Sequence, residues 1–326
     1  MILVTGGAGF IGSNLVAALA ERGERVVVCD WLKKGDKWRN LAKHELEEIV
    51  APENLDHWLS TSYGVTAVIH MGAIAATTER DGDALVENNL NLSQKLWRWC
   101  VTNGTPFIYA SSAATYGDGS HGFDDCDSRA HQAKLRPLNG YGWSKHLFDR
   151  WVARRLELGH IAPPLWAGLK FFNVYGPNEQ HKQAQASVPL HLFNQISSGE
   201  NARLFQSHHP DYEDGGQLRD FIWVGDVVKV VLWLLDSRQT SGLFNVGTGK
   251  ARSFHDLARA VFKTMGKPEN IEFIPTPEAL RAKYQYFTEA NMARLHAAGY
   301  DQPFTSLEDG IGQYLRDYLM TDDPHR

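Results

Sequence analysis

Short runs of apolar residues recur through the first half of the chain, and amphipathic stretches separate them. Strands that are apolar throughout, rather than at alternate positions, are typical of a parallel sheet with helices on both faces. The first 170 or so residues are therefore predicted to form a doubly wound parallel α/β sheet. The runs cover residues 2–4, 26–29, 49–50, 67–70, 107–110 and 165–172.

The pattern changes after the last of these runs. A polar segment rich in Gln, His and Asn covers residues 178–201, and an acidic loop at 211–216 has the composition of a surface insertion. Apolar runs at 221–224 and 244–246 flank an apolar helix predicted at 227–235, which predicts a return to the first sheet. We therefore expect a larger domain interleaved with a smaller α/β domain. The larger one would comprise residues 1–172 plus 219–249, and the smaller one residues 173–218 plus 250–326.

Three glycines mark the turn between the first apolar run and the helix predicted after it. Gly6, Gly9 and Gly12 have the spacing of a dinucleotide-binding turn, which needs a tight bend, close approach of backbone N–H groups to a pyrophosphate and close helix-on-strand packing. Asp30 follows eighteen residues beyond Gly12, at the end of the second run, where such sites carry an acid for ribose hydroxyls. The combination predicts a dinucleotide site rather than a glycine-rich turn without a ligand.

The residues around Asp30 leave the choice of dinucleotide open. A carboxylate at this position favours NAD, because it repels the 2′-phosphate of NADP. Lys33, Lys34 and Lys37 follow closely, and one of them turned inward would hold that phosphate. The alternative is a solvated lysine cluster.

Tyr141 and Lys145 stand four residues apart on a predicted helix, so a phenol and an ammonium share one face. A phenol with its ordinary pKa of about 10 is a weak base at neutral pH, and a neighbouring ammonium and an oxidised nicotinamide both favour the phenolate. Ser112 ends the run that begins at residue 107, and ligands bind at the carboxyl ends of parallel strands, so its hydroxyl is expected beside Tyr141. A tyrosine and a lysine can have this spacing on a helix by chance. Together with the glycine turn, Asp30 and Ser112, however, the pair is typical of a nicotinamide oxidoreductase.

Composition restricts the partners. Lys and Arg number 33 against 38 Asp and Glu, giving a net charge of −5, so nucleic acid is not an expected partner. The most apolar stretch, residues 221–235, contains Asp226 and Lys229 and is too short to cross a bilayer.

The opening residues leave no room for a secretion signal and the three cysteines are widely spaced, which together predict a cytoplasmic location. No metal site is expected, since the 14 His form no HExxH motif.

Longer motifs occur along most of the chain. They are residues 5–12, 111–117, 141–145, 172–177 and 219–226. In these motifs the chain resembles the extended short-chain dehydrogenase/reductase family of nucleotide-sugar epimerases and dehydratases, which implies a Rossmann sheet. Dehydratases of that family carry an Asp-Glu pair after the hydroxyl residue, whereas here Ala113 and Ala114 follow Ser112. The resemblance therefore implies epimerisation rather than loss of water.

More specific segments, at residues 75–79, 110–117, 179–182 and 284–288, are similar to the branch of this family that acts on ADP-linked heptose. That resemblance implies a tightly held NADP, with NAD as the alternative, and inversion of carbon 6 of the sugar for the inner core of lipopolysaccharide. It also implies a homo-oligomer and suggests a pentamer. The larger domain would then hold the dinucleotide and the smaller one the nucleotide sugar.

Inversion by oxidation and re-reduction at one carbon needs a proton donor on either face of the sugar. A second acid/base opposite Tyr141 answers that need, and Lys182 stands in the family's position for it. A buried lysine with a lowered pKa exchanges protons near neutrality. The alternative role for Lys182 is to pair with the diphosphate.

The resemblance also implies the remaining site residues by position. Arg219 makes chemical sense, because a guanidinium fork fits a diphosphate; an ion pair with Asp220 or Asp226 is its alternative. The implied cofactor contacts, besides the glycine turn and Asp30, are Phe10, Ile11, Trp31, Lys37, Met71, Gly72, Ala73, Ile74, Ala75, Asn88, Lys145, Val174 and Lys182. The implied substrate contacts are Asn173, Ala184, His191, Phe205, Gln206, Ser207, Arg219 and Tyr284.

Some positions depart from the family pattern. Met71, Ile74 and Ala75 stand where the family has an acid, a cysteine and a serine, and Lys170 replaces an arginine. Ala184 replaces a serine near the sugar, which removes one hydrogen bond of about 1 kcal/mol. These changes bear on substrate identity, so an epimerase or reductase of another nucleotide sugar is a second hypothesis. A non-catalytic dinucleotide-binding regulator is a third, which the presence of Ser112, Tyr141 and Lys145 disfavours.

Overall fold

The protein is described by a computed structural model that covers residues 1–237, 240–281 and 284–326. The strands are β1 (Ile2–Thr5), β2 (Val26–Cys29), β3 (Glu48–Val50), β4 (Ala67–His70), β5 (Phe107–Ser112), β6 (Trp166–Phe171), β7 (Asn173–Tyr175), β8 (Ala202–Phe205), β9 (Leu218–Arg219), β10 (Phe221–Trp223), β11 (Gly242–Val246), β12 (Arg252–Ser253) and β13 (Ile271–Ile274).

Helices connect most of these strands. The α-helices are α1 (Phe10–Glu21), α2 (Leu55–Thr61), α3 (Gly82–Leu85), α4 (Leu92–Asn103), α5 (Arg129–Gln132), α6 (Gly140–Glu157), α7 (Val188–Ser197), α8 (Val224–Ser237), α9 (Phe254–Met265), α10 (Glu278–Arg281), α11 (Ala293–Ala297) and α12 (Leu307–Tyr314). Short 3-10 turns lie at Lys37–Leu41, Pro52–Asn54, Ala113–Tyr116 and Gln180–Gln185, and π-helical turns at Val86–Asn91 and Leu315–Leu319.

Seven parallel strands form the central sheet, in the order β11-β6-β5-β4-β1-β2-β3. Neighbouring side chains of a strand point to opposite faces, so an all-apolar strand needs a cover on both sides. Leu3 packs with Trp97 of α4 on one face, whereas Val4 packs with Leu15 of α1 and Val231 of α8 on the other. The doubly wound sheet predicted from the apolar runs is confirmed.

The predicted return to this sheet is confirmed for one of the two later runs. β11 pairs with β6 in the central sheet, with Phe171 opposite Val246. The run at 221–224 does not join the central sheet, because β10 pairs with β7 in a separate two-stranded sheet. The reason is a change of direction after β6: Phe172 donates its N–H to Val246, and Asn173 donates its N–H to the carbonyl of Asp220.

A second apolar core lies outside the central sheet. It joins α7, α9 and α12 with the small sheet β8-β13, through residues such as Leu192, Val261 and Ile311. Phe10 and Tyr175 also belong to it, so the start of α1 contacts both bodies. None of the helices in the described ranges has the length and apolar composition of a bilayer span.

Candidate active site

The turn between β1 and α1 is packed so closely that it has no space for a side chain at Gly6 or Gly12. Gly6 has φ +66°, and a Cβ there would lie 2.5 Å from the N of Gly72. A Cβ on Gly12 would lie 2.1 Å from the carbonyl oxygen of Gly6. Gly9 begins α1 without a side-chain cap, and the first turn carries no acid, so its free N–H groups and dipole face outward. This cradle fits the pyrophosphate of a dinucleotide.

Asp30 follows β2, and its carboxylate has two partners. It accepts a hydrogen bond from the N–H of Ala8 at 2.9 Å and forms an ion pair with the Nζ of Lys37 at 2.6 Å. Lys37 also donates to the carbonyl of Trp31. Of the three lysines that follow Asp30, Lys37 turns inward, whereas Lys33 and Lys34 are exposed. The charge of Asp30 is therefore compensated inside the site.

The segment after β4 lies against the glycine turn. Met71 donates its N–H to the carbonyl of Thr5, and Gly72 donates its N–H to the Thr5 hydroxyl. Farther along, Asn89 holds this segment in place: it accepts from the N–H of Ile74 and donates to the Ile74 carbonyl, while its amide also donates to the hydroxyl of Ser144 at 2.9 Å.

Asn89 was missed by the sequence reasoning, which assigned the neighbouring Asn88. The Asn88 amide donates to the carbonyl of Ala84 on its own helix, and its predicted cofactor contact stays a prediction. Asn89 is the buried residue of the π-helical turn at Val86–Asn91, a kind of turn that is common at functional sites but leaves no signal in the sequence.

Tyr141 interacts with Ser112 at the carboxyl end of β5, and Lys145 lies near His70 at the end of β4. Asn139 caps α6 by accepting from the N–H of Gly142, which places Tyr141 in the first turn. Gly142 lies so close to Ala114 that a Cβ there would be 2.6 Å from the Ala114 oxygen. The helix start therefore lies against the turn that follows Ser112.

The electrostatics of this group are set by burial. Burial raises the pKa of Tyr141, and the Ser112 hydroxyl opposes this by favouring the phenolate. Burial lowers the pKa of Lys145 to about 8, while Asp149 raises it. Burial and the charge of Lys145 hold the pKa of His70 at about 3, so His70 is neutral and bonds Thr5 at 2.6 Å. Through His70 the Lys145 group is linked to the glycine turn.

Lys182 lies on the 3-10 turn that follows β7. Its Nζ lies 5.2 Å from the ring centre of Phe10, the first residue of α1. Burial lowers the pKa of Lys182, while the carboxylate of Glu179 raises it. Glu179 is buried and accepts from the N–H of Ser187 at 2.6 Å and from the hydroxyl of Tyr314 at 2.9 Å, which fixes the turn. Lys182 therefore lies beside the cofactor cradle.

Phe10 is packed with two other predicted cofactor contacts. Ile11 and Val174 are half-buried against the same apolar cluster, and Asn173 beside Val174 is exposed at the start of β7. The structure thus brings Phe10, Ile11, Val174 and Lys182 together, and leaves Asn173 open to a ligand.

Arg219 is a buried cation without a carboxylate partner in the described part of the chain. Its guanidinium lies 5.6 Å from the ring centre of Phe254 and 5.4 Å from that of Tyr284, and it donates to the carbonyls of Leu218 and Gln285. Burial lowers its pKa.

The two acids next to Arg219 in sequence are occupied elsewhere. Asp220 accepts from the N–H groups of Thr248, Gly249 and Ala290, and Asp226 pairs with Lys229. The ion pair considered for Arg219 is therefore not formed. Since a guanidinium has five N–H donors, donors remain for an anion.

The other predicted substrate residues fall into two groups. Phe205, Gln206 and Ser207 are half-buried at the end of β8, near Tyr284, whose ring centre lies 6.3 Å from that of Phe205. Ala184 is exposed, and half-buried His191 lines a cavity of about 360 Å³ together with Gln183 and Asn194.

The acidic insertion at 211–216 folds back onto these residues. The Asp214 carboxylate accepts from the N–H of Ser207 at 2.7 Å, and the ring of Tyr212 lies 4.9 Å from that of Tyr286. Tyr286 also bonds the Nδ1 of His208 at 2.7 Å. The composition of this segment predicts a surface loop but not its aromatic contacts, because ring pairs between distant segments leave no periodic signal.

Within the same described residues, no group of three or more His, Cys, Asp or Glu side chains is arranged to hold a metal ion.

Comparison with known proteins identifies the class. The sequence profile of the NAD dependent epimerase/dehydratase family matches residues 2–247, and the chain belongs to that family. A relative from Nitratidesulfovibrio vulgaris (strain Hildenborough) is 52% identical over 329 residues, covering 100% of both chains, and is named ADP-L-glycero-D-manno-heptose-6-epimerase. A relative of the same name from Fusobacterium nucleatum is 44% identical, again over 100% of both chains. The resemblance found in the motifs is confirmed.

Solved structures agree on the fold. The ADP-L-glycero-D-manno-heptose-6-epimerase of Helicobacter pylori is 27% identical with a TM-score of 0.77, over 97% of this chain and 95% of that one. The UDP-glucose 4-epimerase of Thermus thermophilus, solved in complex with NAD, is 26% identical with a TM-score of 0.75, over 96% and 97% of the two chains. Membership of the family and the bound NAD of this neighbour support a nicotinamide cofactor.

Proposed function

We propose that the protein is an ADP-glyceromanno-heptose 6-epimerase that serves lipopolysaccharide inner-core synthesis. The observation that carries the proposal is the interaction of Tyr141 with Ser112, and of Lys145 with the His70 that bonds Thr5, in a chain 52% identical over its whole length to a protein named for that activity. Arg219, which is buried and has no carboxylate partner within the described residues, supports a substrate that carries a diphosphate.

NADP is the proposed cofactor. The glycine turn would hold its pyrophosphate, and Ile11, Met71–Ala75, Asn88 and Val174 would line it. Lys37 supports NADP over NAD, because it neutralises Asp30, which would otherwise repel a 2′-phosphate. When bound, the dinucleotide supplies a hydride acceptor and donor beside the sugar.

In the proposed reaction, Tyr141 takes the proton of the sugar hydroxyl. The Ser112 hydroxyl favours the phenolate and steadies the oxygen on which charge develops. Lys145 has a pKa of about 8, so it is largely charged at neutral pH and holds the phenolate and a ribose hydroxyl in place. Lys182 supplies or accepts the proton when the other face of the sugar is presented, and its lowered pKa suits that exchange.

Arg219 is proposed to bind the diphosphate, with Tyr284, Phe205, Gln206 and Ser207 around the nucleotide. Asn173, Ala184 and His191 are proposed to face the sugar side. A homo-oligomer and a cytoplasmic location stay predictions; light scattering of the purified protein tests the former.

The second candidate is an epimerase of another nucleotide sugar. Two observations support this candidate. The chain is similar to the UDP-glucose 4-epimerase of Thermus thermophilus, and the insertion at 211–216 contacts Ser207. The substrate experiment described in the next paragraph distinguishes the two candidates.

The test is to release the bound dinucleotide by denaturation, identify it by mass, and follow ADP-D-glycero-D-manno-heptose by NMR in D₂O. Inversion at carbon 6 with retention of the substrate hydrogen is expected. Conversion of UDP-hexoses instead, or free exchange of that hydrogen with solvent, contradicts the proposal.

Variants assign the roles. Tyr141→Phe and Lys182→Met are expected to lower kcat strongly, while Lys34→Met, which changes an exposed lysine, leaves it unchanged. A Lys182→Met enzyme with the full rate would remove Lys182 from the mechanism.

A further inference from the structure

A buried ion pair lies directly behind the active-site group. The Nζ of Lys170 on β6 lies 2.7 Å from the Asp149 carboxylate on α6, and both side chains are 0% exposed. Taking two charges out of water costs more than a single contact returns, so such a pair is weak evidence for stability alone. We therefore looked for a role of this pair beyond stability.

The pair connects the elements that carry the reactive residues. The Asp149 carboxylate also accepts from the hydroxyl of Ser111 at 2.7 Å and from that of Tyr109 at 3.0 Å, both on β5. Ser111 directly precedes Ser112. Lys170 donates to the hydroxyl of Thr115 at 2.8 Å, in the turn that receives the start of α6. These contacts join α6 to β5 directly and, through Lys170 on β6, also to the turn that follows β5.

Asp149 also shares a face of α6 with the reactive residues. Tyr141, Lys145 and Asp149 follow at intervals of four residues, and side chains four apart on a helix are neighbours. Asp149 therefore lies one helical turn after Lys145, and Lys145 lies one turn after Tyr141.

We propose that the Asp149–Lys170 pair is a positioning device for the active site: Asp149 keeps the Lys145 ammonium charged and aligned beneath Tyr141, and Lys170 holds Asp149 in that role. This inference rests on the proposed function. Neither residue touches the substrate, so both are positioning residues rather than catalytic ones.

Among the described residues, Asp149 supplies the charge that opposes the desolvation of Lys145. His70 on β4 and His146 on α6 are neutral, because burial lowers their pKa values to about 3 and about 4. Burial also raises the pKa of Tyr109 on β5 well above its ordinary value, and its hydroxyl donates to Asp149. The pKa of Lys145, held at about 8 by burial against the pull of Asp149, is the one in this set that lies near the working pH.

The experiment compares Asp149→Asn, Lys170→Met and the double variant that carries both changes. The double variant removes both charges, so it restores neutrality in the core and is expected to recover the thermal stability that either single change loses. A matched control is the double variant Asp56→Asn/Lys95→Met, which removes an exposed ion pair. Each protein is measured for melting temperature, for the pH profile of kcat with ADP-heptose, and for the titration of ¹³Cε-labelled lysines by NMR without substrate.

Activity that needs a charged Lys145 falls as pH rises through its pKa. In Asp149→Asn and in the double variant, this alkaline limb and the Lys145 titration are expected about one pH unit lower, the size of effect of one opposite charge nearby. The control keeps the wild-type limb. A double variant with the wild-type limb and titration overturns the inference and leaves the pair a structural one. If wild-type protein does not convert ADP-heptose, the proposed function fails, and the lysine titration still decides the positioning role.

Discussion

Arg219 gives the sharpest test of how the substrate is held. Arg219→Met removes a guanidinium that has no carboxylate partner in the described residues. In a complex with a diphosphate, two charge-assisted hydrogen bonds of about 1.5–3 kcal/mol each would be lost, so affinity is expected to fall by about 3–6 kcal/mol, or about 10²–10⁴-fold.

The effect on stability is expected to be small by comparison. The variant loses two hydrogen bonds to the Leu218 and Gln285 carbonyls and the stacking on Phe254 and Tyr284, but it also relieves the burial of an unpaired charge. These contributions oppose each other, so the free energy of unfolding is expected to change by less than about 2 kcal/mol.

Calorimetric titration with ADP, and KM and kcat from NMR progress curves, measure the binding loss. Arg219→Lys keeps the charge but not the fork and is expected to bind at an intermediate level. Arg203→Met is the matched control, because Arg203 is exposed and pairs with Glu200. Wild-type affinity of Arg219→Met for ADP would refute the diphosphate assignment.

Three further outcomes follow from the geometry. Gly12→Ala places a methyl 2.1 Å from the Gly6 oxygen, so purified protein is expected to carry little dinucleotide by mass spectrometry; full occupancy would contradict the cradle. Lys37→Met is expected to weaken NADP far more than NAD in titrations, because Asp30 loses its compensating charge, and equal losses would count against NADP. Burial keeps the pKa of His70 at about 3 against 6.5 unfolded, so unfolding takes up a proton between these values and stability falls as pH drops through that window. By pH 5 the loss is about 2 kcal/mol, which His70→Asn is expected to remove in denaturant titrations at pH 5 and 7; an unchanged slope would contradict the buried neutral state.

Much of the central sheet could be predicted from the sequence, because its signals are local. An unbroken apolar run of four or so residues identifies a strand covered on both faces, and β1, β2 and β4 lie where those runs lie. Likewise, the offset of four between Tyr141 and Lys145 places both on one face of any helix that forms there.

Pairing partners between distant segments could not be predicted in the same way. The apolar run at 221–224 carries no mark of whether it joins the central sheet, and β10 pairs with β7 because the chain turns after Phe172. Asn89, which ties Ile74 to Ser144, is likewise defined by contacts across the fold rather than by its neighbours.

The sequence by itself determined the strand pattern, the glycine turn, the Tyr141/Lys145 face and the family. Only the tertiary structure decided which charges meet: Asp30 with Lys37, Asp149 with Lys170, and Arg219 with no acid in the described residues although Asp220 follows it. The physical reason is that adjacent residues of an extended segment point to opposite sides, so charge pairing is settled by the surfaces that packing brings together rather than by order along the chain.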